Sequence, residues 1–584
     1  MRLLSTILLT TMVLAPVMAD EDEFDRLVAD FEAHELAHNP IRAGEQGDLD
    51  AAGRWPDHSP ERLEKKLERE AEFLQRLEAI ELDALGESEG VTWAMMDYLL
   101  RSRLALAEFE PRRMSFTNDS GFFSQPFALA GRTRPSSIAE AEAWLRRLES
   151  MPDFLATQTA WLERAIDTGF LQPGLVAERV VEQLESLVAQ DLDEHPLLAP
   201  LDALPRRVDA DERRRLEVAM RKTIEDEVVP AYRELLEFFR QDYLAEPRET
   251  VGISAVPGGR DYYRALVRHH TTLDTTPEEI HERGKAEVER IRAEMDEVID
   301  EAGFEGSFEE FLHYLRTDSR FYAETERELL MHAAWIAKRA DDQMPRFFRK
   351  MPRLPYGVRP VPESLAPNYT TGRYWAGNLE AGVAGGYLVN TYRLDQRPLY
   401  ELPALTVHEA VPGHHHQIAL AQELEDVPDF RRNTNITAFA EGWALYTEYL
   451  AIEMGIYETP YEDFGRLTYE MWRACRLVVD TGLHYFGWSQ EEAEACLLEN
   501  SALSTHNVRT EVERYISWPG QALAYKTGEL LIRELREQAE DVLGEDFDLR
   551  GFHDHILAQG AMPLSALEER MQDWIEEQRV NLGD

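Results

Sequence analysis

Read for the spacing of its apolar positions, most of the chain has a helical rhythm. In ERLEKKLEREAEFLQRLEAI (61–80), Leu63, Leu67, Phe73, Leu74 and Leu77 recur at roughly three- and four-residue steps among charges, which gathers them on one face of a helix. Similar patterns run through 139–165, 177–192, 211–240, 277–302, 324–343, 461–479, 489–499 and 520–539. Alternating strand patterns are rare, and the best is GGYLVNTYRL (385–394), aromatic and β-branched after a pair of glycines. No repeat of fixed period and no low-complexity linker interrupts the chain. The Pro- and Gly-rich segments 111–135 and 351–386 hold Phe, Tyr and Trp instead of Ser and Gly runs, so they read as ordered loops around a cleft. The expected fold class is mainly α: one large helical domain over 20–584, with a helical lobe to about 350 and a second lobe from about 351 that carries the chemistry.

The first residues break the pattern. MRLLSTILLTTMVLAPVMAD offers one Arg, an apolar run and then Val17-Met18-Ala19, which reads as a secretory signal peptide, 1–19, cut after Ala19. The run is short, a proline interrupts it and acidic residues follow, so a membrane anchor is the weaker reading. No cysteine stands at the cut, which argues against lipidation there. No later apolar run approaches the length of a membrane span, so the mature protein is expected in the periplasm or secreted. Cys475 and Cys496 are the only cysteines, and the sequence leaves open whether they pair. The net charge of -48, from 110 acidic against 62 basic residues, repels nucleic acid and anionic membranes and removes both as partners. An acidic shell with so little Lys also suits a salt-rich habitat.

Candidate chemistry concentrates in HEAVPGHHHQ (408–417), where four of the 17 histidines fall within ten positions. In zinc hydrolases a His-Glu pair on a helix supplies one ligand, His408 here, and a base, Glu409 here, and the second His usually follows one turn later. Position 412 is proline instead, so the second ligand must come from His414, His415 or His416. On an unbroken helix His414 would point about 120° away from His408, and His415 would sit about 10 Å further along. Pro412 and Gly413 permit a local break, and one that absorbs two residues returns His414 to the ordinary place of the second histidine. His414 is therefore preferred over His415, which would orient a ligand or contact substrate. A third ligand is expected from TAFAEGWALYTEYLAIEMG (437–455). There Glu441 and Glu448 share one face of an apolar helix, and buried carboxylates are costly unless a cation or donors meet them. Glu441 as ligand and Glu448 as a carboxylate orienting a histidine satisfy both.

HEAVPGHHHQ, AFAEGWALYTEYL, RACRLVVDTGLHYFGWSQEEA (473–493) and PGQALAYKTG (519–528), in this order, resemble the bacterial family catalogued as domain of unknown function 885. Segments such as HELAHNP and SPERLEKKL match more diffusely. The motifs are similar to zinc metallopeptidases of the gluzincin type, whose ligands are two His and one Glu. The resemblance implies a large helical gluzincin-like fold with a deep central cleft, a small β element beside the site, and one zinc ion per chain. It places Tyr525 and Lys526 near the site, Tyr525 as donor to the oxyanion, with His484 as competitor. It sets GGYLVNTYR where gluzincins bind extended peptide by backbone pairing, so that Asn390 and the open edge of that strand would hold substrate amides. A basic residue capturing a C-terminal carboxylate would make a carboxypeptidase, and Arg473, Arg476, Arg509, Arg514 and Lys526 are all candidates among which the sequence does not choose.

The leading expectation is a zinc metallopeptidase acting on short peptides, as carboxypeptidase, dipeptidase or oligopeptidase, with Glu409 activating water. The alternatives are hydrolysis of a nonpeptide amide or ester, and a metal- or peptide-binding descendant of an enzyme. Glu409 speaks against the last, since a binder has no need of the base.

Overall fold

The computed structural model describes residues 15–583 apart from 364, 380, 426 and 504. Most of the expected signal segment, residues 1–14, lies outside them. The chain is mainly helical, with one three-stranded sheet among the described residues. The periodic segments form helices close to their expected bounds. The stretch 61–80 becomes Pro60–Glu78, with Phe73 and Leu77 buried. The pattern at 139–165 divides into Ile138–Glu149 and Met151–Thr168 at Ser150, with Pro152 in the second helix's first turn.

Seven helices and the sheet frame the site. Helix α1 is Pro277–Glu301, opened by Thr276 and Glu279, which bond reciprocally to each other's backbone N–H. Strands β1 (Tyr356–Pro360), β2 (Gly372–Trp375) and β3 (Gly385–Val389) follow. Helices α2 (Leu402–Glu409), α3 (His414–Gln422), α4 (Thr437–Glu453), α5 (Pro460–Thr481) and α6 (Thr505–Ser517) lead to the long α7 (Ala524–Leu543). The sheet order is β1-β3-β2, β3 running parallel to β1 and antiparallel to β2, with Tyr374 opposite Tyr387. The expected strand is thus central and wholly buried, and it has no open edge to offer a substrate. The two edges belong to YGVRP and GRYW, inside the segment 351–386 that reads as loop.

Two large cores hold the molecule. One joins Ile41, Trp144, Leu184 and Phe239 to Phe464, Met471 and Tyr515. The other joins Phe31, Phe73 and Leu100 to Val407, Phe439, Trp443 and Ile532. Each core draws on both halves of the chain, so the packing interleaves them and does not divide at residue 350. Helix α4 buries Phe439, Trp443, Tyr446 and Leu450, each worth about 1.5–3 kcal/mol on removal from water. It meets α7 backbone to backbone, since a Cβ at Gly442 would lie 2.5 Å from Gly528 Cα. That contact sets Glu441 on α4 beside the first turn of α7. Cys475 and Cys496 are free thiols, and no described helix is long and apolar enough to cross a membrane.

Candidate metal centre

Helix α2 stops at Glu409 because the chain takes a non-helical turn at Ala410 (φ -99, ψ -114), and Pro412 has no N–H to continue the ladder. The amide of Gly413 reaches back to Val407 O at 2.9 Å, a six-residue span in place of four, so the break absorbs two residues. Only glycine fits, because a Cβ at 413 would lie 2.0 Å from His408 O. The carbonyl displaced by the break is answered across the interface, where Trp443 Nε1 donates to Pro412 O at 2.9 Å. Helix α3 then starts at His414, with that residue turned back toward His408.

The two imidazole rings stand 4.8 Å apart and perpendicular. Glu441 Oε2 lies 3.5 Å from His408 Nε2 and 3.6 Å from His414 Nε2, and one ligand atom from each residue falls within 4.8 Å of the others. On the other side of His408, Nδ1 donates to Glu448 Oε1 at 2.7 Å, with Glu448 1% exposed. Burial alone would lower the His408 pKa, but Glu441 and Glu448 raise it to about 10 where protein alone surrounds it. Glu441, despite burial, is held well below the usual carboxylate range by His414 and His408. Glu409 is buried beside them, and its Oε2 accepts the Tyr374 N–H of β2 at 2.7 Å. Side-chain exposures of 13% at His414 and 22% at Glu441 leave the cluster in touch with solvent.

These residues fit a divalent cation. Three carboxylates, Glu409, Glu441 and Glu448, gather around two imidazoles, and among the described residues no Lys or Arg pairs with any of them. A second group, His34, Glu35 and Glu70, also places its ligand atoms within 4.8 Å of one another. It fits less well: Arg103 Nη1 donates to Glu35 at 2.7 Å and to Glu70 at 2.9 Å, and Lys66 lies 3.5 Å from Glu70. Two cations already offset its two carboxylates, and a divalent ion would add uncompensated charge.

Tyr525 stands on the first turn of α7, partly exposed, its ring under the Arg476 guanidinium at 4.4 Å. Burial and then the charge of Glu441 push its hydroxyl above the ordinary phenol range, opposed by Arg476 and Arg514. It therefore stays a neutral donor at neutral pH.

A model of the bacterial proteins of unknown function called DUF885 matches residues 40–571. The chain belongs to that family. It is similar to the crystal structure of a candidate lipoprotein from Colwellia psychrerythraea, at 27% identity and TM-score 0.88, covering 96% of this chain and 100% of that one. A candidate lipoprotein of unknown function from Shewanella oneidensis matches at 18% identity and TM-score 0.73, covering 95% and 99%, a likeness of fold. No curated protein matches the chain.

Within this DUF885 chain several expected site residues prove to be structural. His415 faces away from His408: its Nδ1 meets Tyr374 Oη at 2.9 Å, its ring packs on Tyr356, and burial lowers it to about 4. It steadies the strand that holds Glu409, on the side away from the three candidate ligands. His416 is buried against Phe348. His484 cannot serve as donor to a substrate, because Nδ1 accepts from Ile253 N at 3.1 Å and Nε2 donates to Tyr515 O at 2.9 Å. Asn390 is fully buried, its amide donating to the carbonyls of Ala366, Tyr369 and Thr370, and so holds a loop, not substrate. Lys526 is fully buried too, its ammonium held by Glu470 and Glu529 at 2.8 Å each and Glu287 at 3.0 Å, which leaves it nothing for a substrate carboxylate. Arg514 remains near Tyr525, bonded to Glu511 and Gln521. The residue missed from sequence is Tyr374, whose direct contribution to Glu409 is a backbone N–H that any residue but proline would supply.

Proposed function

We propose that the protein is an extracytoplasmic, zinc-dependent metallopeptidase that hydrolyses short peptides in a cleft of a gluzincin-like fold. The observation that supports this most is the meeting of His408, His414 and Glu441, with Glu409 fixed beside them by the Tyr374 N–H. His408, His414 and Glu441 would hold the ion, because two imidazoles and one carboxylate suit zinc with a position left for solvent. When bound, the ion supplies a Lewis acid that makes water acidic enough to lose a proton near neutral pH. Glu409 takes that proton as the water oxygen bonds to the carbonyl carbon, and returns it to the nitrogen as the C–N bond breaks, giving a carboxylic acid and an amine. Tyr525 donates its hydroxyl proton in a hydrogen bond to the carbonyl oxygen as that atom gains charge. Glu448 keeps the proton of His408 on Nδ1, so that Nε2 presents a lone pair. A location outside the cytoplasm is supported by the signal-like residues 1–19 and by likeness to a candidate lipoprotein.

Elemental analysis of the purified protein, with mass spectrometry of a peptide mixture before and after incubation, tests the proposal. It expects one zinc per chain and loss of short peptides that a chelator stops. Zinc-loaded protein that splits small amides or esters but no peptide would move the reaction to a nonpeptide bond. Zinc-loaded protein inert to both would make it a binding protein.

A further inference from the structure

In a chain of net charge -48, arginines have acids to pair with almost everywhere, yet one buried group beside Tyr525 is short of them. Arg473 and Arg476, one turn apart on α5, are 8% and 4% exposed, and their guanidinium carbons lie 4.8 and 4.6 Å from the centre of the Trp472 ring. Arg476 Nε donates to Tyr515 Oη at 3.0 Å and Nη2 is 3.6 Å from Glu511, while Nη1 is buried without a partner. Arg473 Nη1 donates to Tyr469 O at 3.3 Å, and its Nε has no partner. Arg514, on α6, sends Nε and Nη2 to Glu511 and Nη1 to Gln521. Among the described residues Glu511 is the one carboxylate within ion-pair distance of any of the three. Three guanidinium groups thus share one carboxylate at ion-pair distance, with Glu401 further from Arg473 and Asp480 further from Arg514. Buried charge left in excess is costly unless an anion meets it, and a guanidinium presents paired donors that match a carboxylate.

The group adjoins the candidate metal centre. Arg476 lies over one face of Tyr525, and the Gly442–Gly528 contact seats the start of α7 beside Glu441. We infer that Arg476, with Arg473 and Arg514, receives the C-terminal carboxylate of a peptide whose nearby amide bond reaches His408, Glu409 and Glu441, so that the enzyme acts at the C-terminal end of its substrates. The inference rests on the peptidase reading for its reaction, while the anion pocket itself does not depend on that reading.

The test compares matched peptides ending in a free acid or in an amide. With the zinc-loaded enzyme, amidation is expected to lower kcat/KM by about 100-fold or more, mainly through KM, as loss of one partner of a buried charge pair does. Arg476→Gln should bring the acid-to-amide ratio to within a few-fold of unity, and Arg476→Lys should fall between. Equal cleavage of acid and amide by the natural enzyme would overturn the inference, as would a folded, metal-replete Arg476→Gln that keeps the full preference. Should Arg476→Gln not fold, the acid-amide comparison and Arg476→Lys decide. A calorimetric titration of Glu409→Gln with the same peptides separates the pocket from the reaction. Acid bound at least ten times tighter than amide, with no peptide cleaved by the natural enzyme, would sink the peptidase reading and leave the pocket standing. Equal binding of the two would sink the pocket whatever is cleaved.

Discussion

Glu448 touches neither solvent nor a candidate open position, yet metal affinity should depend on it. Its Oε1 accepts from His408 Nδ1 at 2.7 Å, a charge-assisted contact, and its Oε2 is buried with no partner. In Glu448→Gln the amide oxygen can still accept that proton at the same place, so shape and tautomer survive while the charge goes. A hydrogen bond to an ionised acceptor is worth about 1.5–3 kcal/mol against about 0.5–1.5 for a neutral one. The difference, about 1–1.5 kcal/mol, is felt as lower basicity at His408 Nε2, and losses of such partners weaken metal binding about 10- to 100-fold. The metal-free protein should also melt somewhat earlier at neutral pH, because there Glu448 helps to hold His408 protonated. Competition against a chromogenic chelator gives the zinc Kd, and thermal melting of the stripped protein gives the control. An unchanged Kd would refute the orienting role. A weaker Kd accompanied by loss of the folded state in the metal-free protein would assign Glu448 to packing instead.

Four further outcomes follow from the same geometry. Glu409→Gln keeps metal and fold but should lose turnover by about 100-fold or more, because the proton acceptor is gone, and steady-state kinetics with metal analysis checks it. Tyr525→Phe should cost about 100- to 1000-fold in kcat with little change in KM or melting, since one donor to the developing oxyanion is removed. Gly413→Ala, which on an ordinary helix would add about 1 kcal/mol, should destabilise and weaken zinc binding, because the new Cβ would sit 2.0 Å from His408 O and must push His414 out of register; chelator competition and denaturant unfolding read both effects. Asp480 is fully buried, accepting from Tyr263 Oη at 2.6 Å and Gly520 N at 2.9 Å, and burial raises it from 3.8 to about 7. Its proton is therefore held more tightly folded than unfolded, so stability falls as pH rises from about 4 to 7 and stays low above. Asp480→Asn should remove up to roughly 4 kcal/mol of that loss at pH 8 and change little at pH 4, measured by unfolding across pH.

The local part of the site was legible because its chemistry lies in short strings. Pro412 excludes an unbroken helix and Gly413 permits the tight return, so the two-residue accommodation could be reasoned from backbone rules alone. The face shared by Glu441 and Glu448 follows from seven-residue spacing on a helix whose other positions are apolar. What could not be read depends on partners far away in the chain. Nothing in TGLHYFGW says that both nitrogens of His484 are taken by Ile253 and Tyr515. Lys526 looked available because Glu287 and Glu470, which enclose it together with Glu529 one turn along α7, come from α1 and α5. Strand order was equally hidden: GGYLV announces itself by composition, but only pairing with two unremarkable short strands makes it central.

Spacing alone points first to a different cluster. The regular form, His-Glu and a second His four residues after the first, occurs at His34, Glu35 and His38 on one helix, whereas 408–414 departs from it. In the structure His38 Nδ1 donates to the backbone O of His34 at 2.9 Å, and Arg103 and Lys66 hold the carboxylates, so the regular string closes on itself as an ion-pair lock. The irregular string, with Glu441 and Glu448 from α4, gathers three carboxylates that no described Lys or Arg pairs, and the cluster reaches solvent through His414 and Glu441. The difference is one of charge balance. A motif marks ligand types at a reachable spacing, but a cation is bound where the fold leaves negative charge that it has not itself neutralised. By the same reasoning an anion would be drawn to buried positive charge left over, and Arg476, with Arg473 and Arg514 beside it, stacks on Tyr525, the ring next to the candidate ligand Glu441.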